Sequence, residues 1–253
     1  MRAASLGSDG RAREAPADPG LLLAIDSSTA LSSVAVGSAE GLLSEITWRS
    51  GARGSATLLP AVDEALRRAA IEPGDLSGVV VSGGPGSFTG VRTAAATAKG
   101  IVHALEVPLY SYSGLLATAA QAAFHDGPVC ALFDARGRDL YAACYSFTPD
   151  VRTLFPPAAL AVEELIERLR GMKALRLVGD GADKHREELE RHLAGRVSTS
   201  LLTTTRAAAL LWLASETPEL GRVQDPGLWE PDYVRASGAE RIAAARASGG
   251  TST

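Results

Sequence analysis

The sequence predicts an α/β protein of two lobes, each a mixed sheet flanked by helices. Three observations lead there. Short apolar or β-branched runs alternate with segments of helical periodicity through most of the chain. The first half reads βββαβαβ with a trailing helix, and the block after Gly127-Pro128 loosely repeats it, with hairpin strands followed by helix–strand alternation. The chain has 253 residues, 46% of them hydrophobic, enough for one large or two modest cores.

The elements follow in order. "LLLAID" (21–26), "SSVAVG" (32–37) and "LLSEITW" (42–48) read as three consecutive strands, an antiparallel meander. In "TLLPAVDEALRRAA" (57–70), Leu59, Val62, Leu66 and Ala69 fall at helical spacing, and Asp63/Glu64 pair with Arg67/Arg68 one turn on. Thr57 is the N-cap candidate, which leaves Pro60 in the tolerated first turn. "LSGVVVSGG" (76–84) is a buried strand, followed by a helix to about Leu105, a strand at 108–113 and a helix at 114–124. Beyond Gly127-Pro128, "VCALFDARGRDLYAACYSF" is a hairpin. A type II′ turn at Gly137-Arg138 sets Cys130 opposite Tyr145 and Cys144 opposite Ala131, whereas a register shifted by one would pair the two cysteines directly. Helices at 162–171, 182–193 and 206–216 and a strand at 175–181 complete the second block. The expected division is therefore 21–124 and 125–236, with a disordered extension at 1–20 and a flexible tail at 237–253.

Bulk properties narrow the function classes. The net charge of −4 supplies no overall basic balance of the kind that grips nucleic acid unaided. No run of 18 apolar residues predicts a transmembrane helix, and the charged first twenty residues lack the apolar core of a secretory signal. The two cysteines have no metal spacing and read as free thiols in a reducing, cytoplasmic setting. The four histidines are scattered, with no HExxH pair, so no metal site is expected. No GxSxG elbow is present.

Three places could carry chemistry. Asp26 ends the first strand and is followed by Ser27, Ser28 and Thr29. An acid there can hold a metal-bound water, and the hydroxyls can donate to phosphate oxygens; the same residues also make ordinary turns. In "SGGPGSFTGVR", Gly83, Gly84 and Gly86 feed a strand into a helix whose N-terminus favours anions. The loop lacks the Lys-Ser/Thr of a Walker A motif and is not GxGxxG. The glycines equally suit a tight turn, with Ser87 or Thr89 capping the helix. Asp134 and Asp139 flank the hairpin turn, as an acid–base or metal pair or simply as a charged tip. Behind the loop, Gly90, Ala94 and Ala98 recur at i, i+4, i+8 beside Val91, Ala95 and Val102. So small a face admits close approach, either of a partner helix or of the protein's own sheet. Arg92 stands against the helix dipole and calls for an anion or carboxylate.

Taken jointly, "LLLAIDSSTALSSVAV", "GGPGSFTGVRTAAATAKG", "FDARGRDLY" and "PDYVR", in this order over residues 21–236, resemble the TsaB (YeaZ) family of tRNA threonylcarbamoyladenosine synthesis. The resemblance implies an actin/Hsp70-like (ASKHA) fold of two βββαβαβ-type lobes. It implies a non-catalytic accessory subunit that binds and activates its paralogue TsaD, the threonylcarbamoyltransferase. The metal-holding histidine pair of TsaD is missing here too. A TsaE-like ATPase would join the complex, tRNA would be met only through the complex, and a homodimer would form in isolation. No cofactor of its own is implied, apart from a nucleotide at a subunit junction. Carried onto this chain, the partner interface falls on Leu58, Leu59, Val62 and Leu66 of the first helix and Gly90, Val91, Ala94, Ala95 and Ala98 of the second, forming a four-helix bundle. The family often has a histidine just before the "LLP" of the first helix, and this sequence has none. The alternative is a nucleotide-binding ATPase or kinase-like enzyme with Asp26, Ser28, Gly84, Gly86, Ser87 and Asp134 lining a cleft between the lobes. A hydrolase comes last, for want of a zinc motif.

Overall fold

A computed structural model of the chain describes residues 19–50, 57–135, 137–193, 206–232 and 234. The expected extension up to residue 18, the expected tail, and residues 51–56 ahead of the first helix lie outside the described residues. Two mixed sheets share one topology. In the first, β1 (Leu22–Asp26), β2 (Leu31–Ser38) and β3 (Gly41–Arg49) form the antiparallel meander. The strands β4 (Gly78–Ser82) and β5 (Leu109–Tyr112) then add in parallel on the other side of β1, giving the order β3-β2-β1-β4-β5. The second sheet repeats the plan with β6 (Val129–Asp134), β7 (Asp139–Ser146), β8 (Arg152–Ala161) and the parallel β9 (Arg176–Val178), in the order β8-β7-β6-β9.

Strand alternation decides which side chains meet which layer. On one face of the first sheet, Leu23, Ile25, Val34, Val79 and Val81 pack against α1 (Leu58–Ala69) and α2 (Phe88–Leu105). On the other face, Leu22, Ala24, Ala35 and Val80 meet α3 (Gly114–Ala120) and α7 (Ala207–Glu216). The same cluster takes in Val129, Ala131, Phe133 and Ala143 of the second sheet, so α3 and α7 lie between the sheets. The far face of the second sheet, with Cys130, Leu132, Leu140 and Cys144, packs on α4 (Val162–Leu169) and on Leu189 of α6 (Arg186–His192). Each fully buried Leu, Ile or Val in these layers contributes about 1.5–3 kcal/mol of burial. This is why the β-branched runs read correctly as two-sided strands.

Four features depart from the sequence expectations. The ten-residue β8, with Pro156 and Pro157, has no counterpart among the expected elements; it is an edge strand, and its prolines sit in a register irregularity, where missing N–H groups are tolerated. The hairpin register is centred on Gly137 (φ +71), so Cys130 faces Cys144 directly rather than Tyr145. Both thiols are free and fully buried. The helix expected at 182–193 breaks at His185 into α5 (Asp180–Lys184) and α6.

The fourth departure is the return of the chain. From residue 206 it leaves the second block and packs on the first sheet. Ala207 N donates to Ser33 Oγ (3.1 Å) and Ala208 N to Glu45 Oε1 (3.3 Å). After α8 (Pro218–Gly221) it runs antiparallel to β5, with Val223 N donating to Leu109 O (2.9 Å).

Candidate functional site

The carboxyl ends of β1 and β4 open into the two loops singled out by sequence, and these loops are zipped together. Ser87 N donates to Ser28 O (2.6 Å), and Ser27 Oγ donates to Gly90 O (2.7 Å). The fit leaves no room for side chains at two glycines. A Cβ on Gly86 would run into the carbonyl oxygen of Ser28, and one on Gly90 into that of Ser27. The Gly84–Pro85 peptide is cis, and Gly84 adopts φ +94, a conformation that favours glycine. Ser87 caps α2, accepting from Gly90 N (3.4 Å). Gly83 N donates to Tyr112 O (2.8 Å). The N–H groups of Gly83, Ser87 and Gly90 are therefore already engaged within the chain.

Asp26 lies beneath this closure and is fully buried. Its Oδ1 accepts from Ser28 Oγ (2.7 Å) and Ser28 N (3.2 Å). Its Oδ2 has no hydrogen-bond partner, and neither has the buried Ser82 Oγ; Ser82 is close enough to favour the charged carboxylate slightly, without bonding geometry. Burial dominates and pushes the Asp26 carboxyl up to about 6. Gly114, the first residue of α3, is crowded by the hydroxyls of Ser82 and Ser28 and by the Phe133 ring of the second sheet. The Phe133 ring of the second sheet thus packs against the start of α3.

Asp134 does not join this group. It projects to the exposed side, where Lys184 Nζ donates to its Oδ1 (2.7 Å), and its N–H donates to Asp180 Oδ1 (3.1 Å). Burial, with the Asp134 charge adding to it, raises the Asp180 carboxyl. The structure brings together Asp26, Ser28, Gly84, Gly86 and Ser87 as a closed packing unit, and holds Asp134 in a separate ion pair. Among the described residues no group of three His, Cys, Asp or Glu could hold a metal ion.

Seven of the nine residues assigned to a partner interface point inward. Leu58, Val62, Leu66, Val91, Ala94, Ala95 and Ala98 are all buried, five of them in the core over the first sheet. The apolar stripe of an amphipathic helix faces its own sheet first, and periodicity cannot say otherwise. Gly90 is pressed on Ser27, and Leu59 is 60% exposed. The outward face of the pair is a different one. It presents Leu59, Asp63 and Arg67 from α1, and Phe88, Ala96, Gly100 and Ala104 from α2, with open space above Gly100. The guanidinium of Arg92 lies 4.0 Å from the centroid of the Phe88 ring.

One clasp was missed from the sequence. Lys99 Nζ on α2 donates to the carbonyls of Trp229 (2.8 Å) and Gly227 (3.1 Å), and Asp232 N donates to Gly83 O (2.8 Å). The "PDYVR" stretch was readable as a motif, but its contact with the glycine loop, some 150 residues earlier, was not.

Two sheets of one plan, each an antiparallel meander extended by parallel pairing, with α3 and α7 between them, form an actin-like two-lobed protein. The family model for TsaD, tRNA N6-adenosine threonylcarbamoyltransferase, matches residues 50–241. TsaB of Bacillus subtilis, a tRNA threonylcarbamoyladenosine biosynthesis protein, is 28% identical over 223 residues, covering 87% of this chain and 96% of that protein. TsaB of Haemophilus influenzae is 30% identical over 188 residues, 69% and 78% of the two chains. YeaZ from Pseudomonas aeruginosa superposes with a TM-score of 0.69 at 26% identity, over 85% of this chain and 99% of that one. The chain belongs to the TsaB (YeaZ) family and so to tRNA threonylcarbamoyladenosine biosynthesis. Among the described residues no helix is long and apolar enough to cross a membrane.

Proposed function

We propose that this chain is a non-catalytic accessory subunit that binds and activates a TsaD-type threonylcarbamoyltransferase in the cytoplasm. The observation that carries the reading is the closure around Asp26. The loops that would cradle phosphate bond to each other, and the buried Phe133 ring packs against Gly114 next to Ser28 and Ser82. What the fold offers instead is the outward face of α1 and α2, with its open, small-residue strip at Ala96, Gly100 and Ala104. A partner helix approaches such a strip closely, and two helices from each chain make a four-helix bundle. A TsaE-like ATPase joins the assembled pair, and tRNA is met through the complex.

The test is tRNA modification reconstituted from the TsaD-type enzyme and its ATPase, with and without this chain. Product forms fast only when the chain is present, and Ala96→Glu removes the stimulation by placing a charge in the helix contact. Equal product without the chain sinks the reading. Undiminished stimulation by Ala96→Glu and Gly100→Trp puts the contact elsewhere. Calorimetric titration with ATP–Mg²⁺ separates the enzyme alternative: turnover by this chain alone, lost in Asp26→Ala, would replace the accessory role.

A further inference from the structure

Cys130 and Cys144 are the two cysteines of the chain, and the β6–β7 hairpin sets them directly opposite each other. The turn decides which kind of pair they form. Ala135 N donates to Asp139 O (3.1 Å), which makes Ala135 and Asp139 a hydrogen-bonded pair. Bonded and non-bonded pairs alternate along an antiparallel ladder, and the alternation makes Cys130–Cys144 a non-hydrogen-bonded pair. In such pairs the Cα atoms approach to about 4.5 Å and the side chains come closest, within the reach of a disulfide. Both thiols lie on one face of the sheet, among Leu132, Leu140 and Leu177, and both are fully buried. The other side of Cys144 is the weak place in this sheet. Its N–H and C=O point away from β6, toward β8. The β7–β8 register is irregular on both sides of Cys144, and Ala143 stands where β8 places Pro156 and Pro157. Two residues without N–H groups cannot donate to the ladder, so β7 is held less firmly by β8 here than by β6.

We infer that Cys130 and Cys144 form a modification site for hydrogen peroxide, which converts them into a reversible cross-strand disulfide. The two thiols are not equivalent. The Cys130 S–H donates to the Cys144 sulfur and holds the Cys144 thiol below its usual range. Burial, and then the contact with Cys144, pushes the Cys130 thiol up. Cys144 is therefore the nucleophile. Its thiolate, uncovered as β8 parts from β7, attacks one peroxide oxygen and breaks the O–O bond. A sulfenic acid forms on Cys144, and the departing hydroxide takes up the proton that Cys144 gave away. The Cys130 sulfur then displaces the sulfenic oxygen, and the S–S bond forms as that oxygen leaves as water with the Cys130 proton. Two thiols and one peroxide thus give one disulfide and two waters. Peroxide is small and uncharged, which suits a thiol reached only through a parted strand edge. In a reducing setting the bond is transient, since thiol reductants reopen it. While it lasts, it ties β6 to β7 in the sheet whose other face packs on α3 and α7. The proposal does not rest on the accessory-subunit reading, which uses the α1–α2 face.

The test uses the full chain, reduced and at low micromolar concentration. It is treated with excess hydrogen peroxide, unfolded in iodoacetamide and digested, and the masses of the cysteine peptides are read. The Cys130 and Cys144 peptides should appear linked, lighter than their sum by two hydrogens and without alkylation. Dithiothreitol should return both to the alkylatable form. The chain has no third cysteine, so no other disulfide within it competes. Cys130→Ser should leave a sulfenic acid on Cys144 that dimedone traps, whereas Cys144→Ser should trap none on Cys130 at the same exposure. Circular dichroism verifies that each variant folds, and the wild-type measurement stands without them. Full alkylation of both cysteines after peroxide, or linkage only between two chains, overturns the site. Dimedone on Cys130 rather than on Cys144 overturns the order of attack.

Discussion

The carboxylate of Glu45 on β3 and the guanidinium of Arg206, just before α7, meet at 2.5 Å across the line where the chain returns to the first sheet. The same carboxylate accepts from Ala208 N at the start of α7, where negative charge is favoured. Glu45→Ala leaves Arg206, whose Nε is buried without a partner, facing an apolar methyl group. The variant should lose about 1–2 kcal/mol of unfolding free energy, because the Arg206 side chain is more than a third exposed. Glu45→Gln, which keeps the bond to Ala208, should lose about half as much. Urea denaturation checks both; equal losses would remove the charge from the explanation.

Asp26 makes stability depend on pH. Its carboxyl titrates near 6 when folded, against an ordinary 3.8, because it is buried. The folded protein therefore holds this proton more tightly than the unfolded chain. The contribution is fully present below pH about 3.8, falls as pH rises to about 6, and is absent above that, a swing of roughly 2–3 kcal/mol. Asp26→Asn removes the titrating group and can donate from Nδ2 toward the unpartnered Ser82 hydroxyl. It should match the wild type near pH 4 and exceed it at pH 7.5. Parallel denaturation curves across that range would contradict the assignment.

The glycines of the "SGGPGSFTGVR" loop and its helix are not equivalent. Gly90→Ala drives a methyl group into the Ser27 carbonyl and should cost about 3 kcal/mol. Gly100→Ala meets open space within α2 and should stabilise the protein by about 0.5–1 kcal/mol. Thermal melting of the two variants should move in opposite directions.

Lys99 ties α2 to residues 227–230 through two carbonyls and the Glu230 carboxylate. Lys99→Met keeps the aliphatic stem and removes the clasp. It should cost about 1–2 kcal/mol, the lysine being partly exposed. Hydrogen exchange should quicken at Asp232 and Trp229. Unchanged exchange there would show that Trp229 packing alone holds the segment.

The two faces of α2 should answer differently to charge. Ala94→Glu buries a carboxylate against the first sheet and should abolish folding, whereas Ala96→Glu should leave the melting temperature within a few degrees of wild type. A well-folded Ala94→Glu protein would restore the inward stripe as a candidate contact surface.

The sequence carried the parts of the fold that depend on neighbours along the chain. Val79–Val81 and Leu22–Ile25 are apolar at every position because both faces of their strands are covered, and that reads directly. The helix behind "GPGSFTGVR" was equally plain. What did not read was direction. Ala94 and Ala98 form a small-residue stripe whether sheet or partner lies beneath, and only the position of β4 decides. The strand through Pro156 and Pro157 did not read, because sequence does not say which strand will be an edge. The Cys130–Cys144 pairing turned on one residue of turn length around Gly137. The bonds from Ala207 to Ser33, and from Lys99 to Trp229, join segments 130 residues or more apart. No local pattern encodes such contacts.

The return of α7 also bears on how the chain is made. The inner face of the first sheet, with Leu22, Ala24, Ala35 and Val80, is roofed by a helix that begins at Ala207. During synthesis the sheet is complete once β5 has left the ribosome, yet the part of that face beneath α7 stays bare until nearly a hundred further residues have been translated. A nascent chain stalled at residue 124 exposes an apolar surface, so the amino-terminal half depends on the last helix, or on a chaperone in its place, to stay out of aggregates.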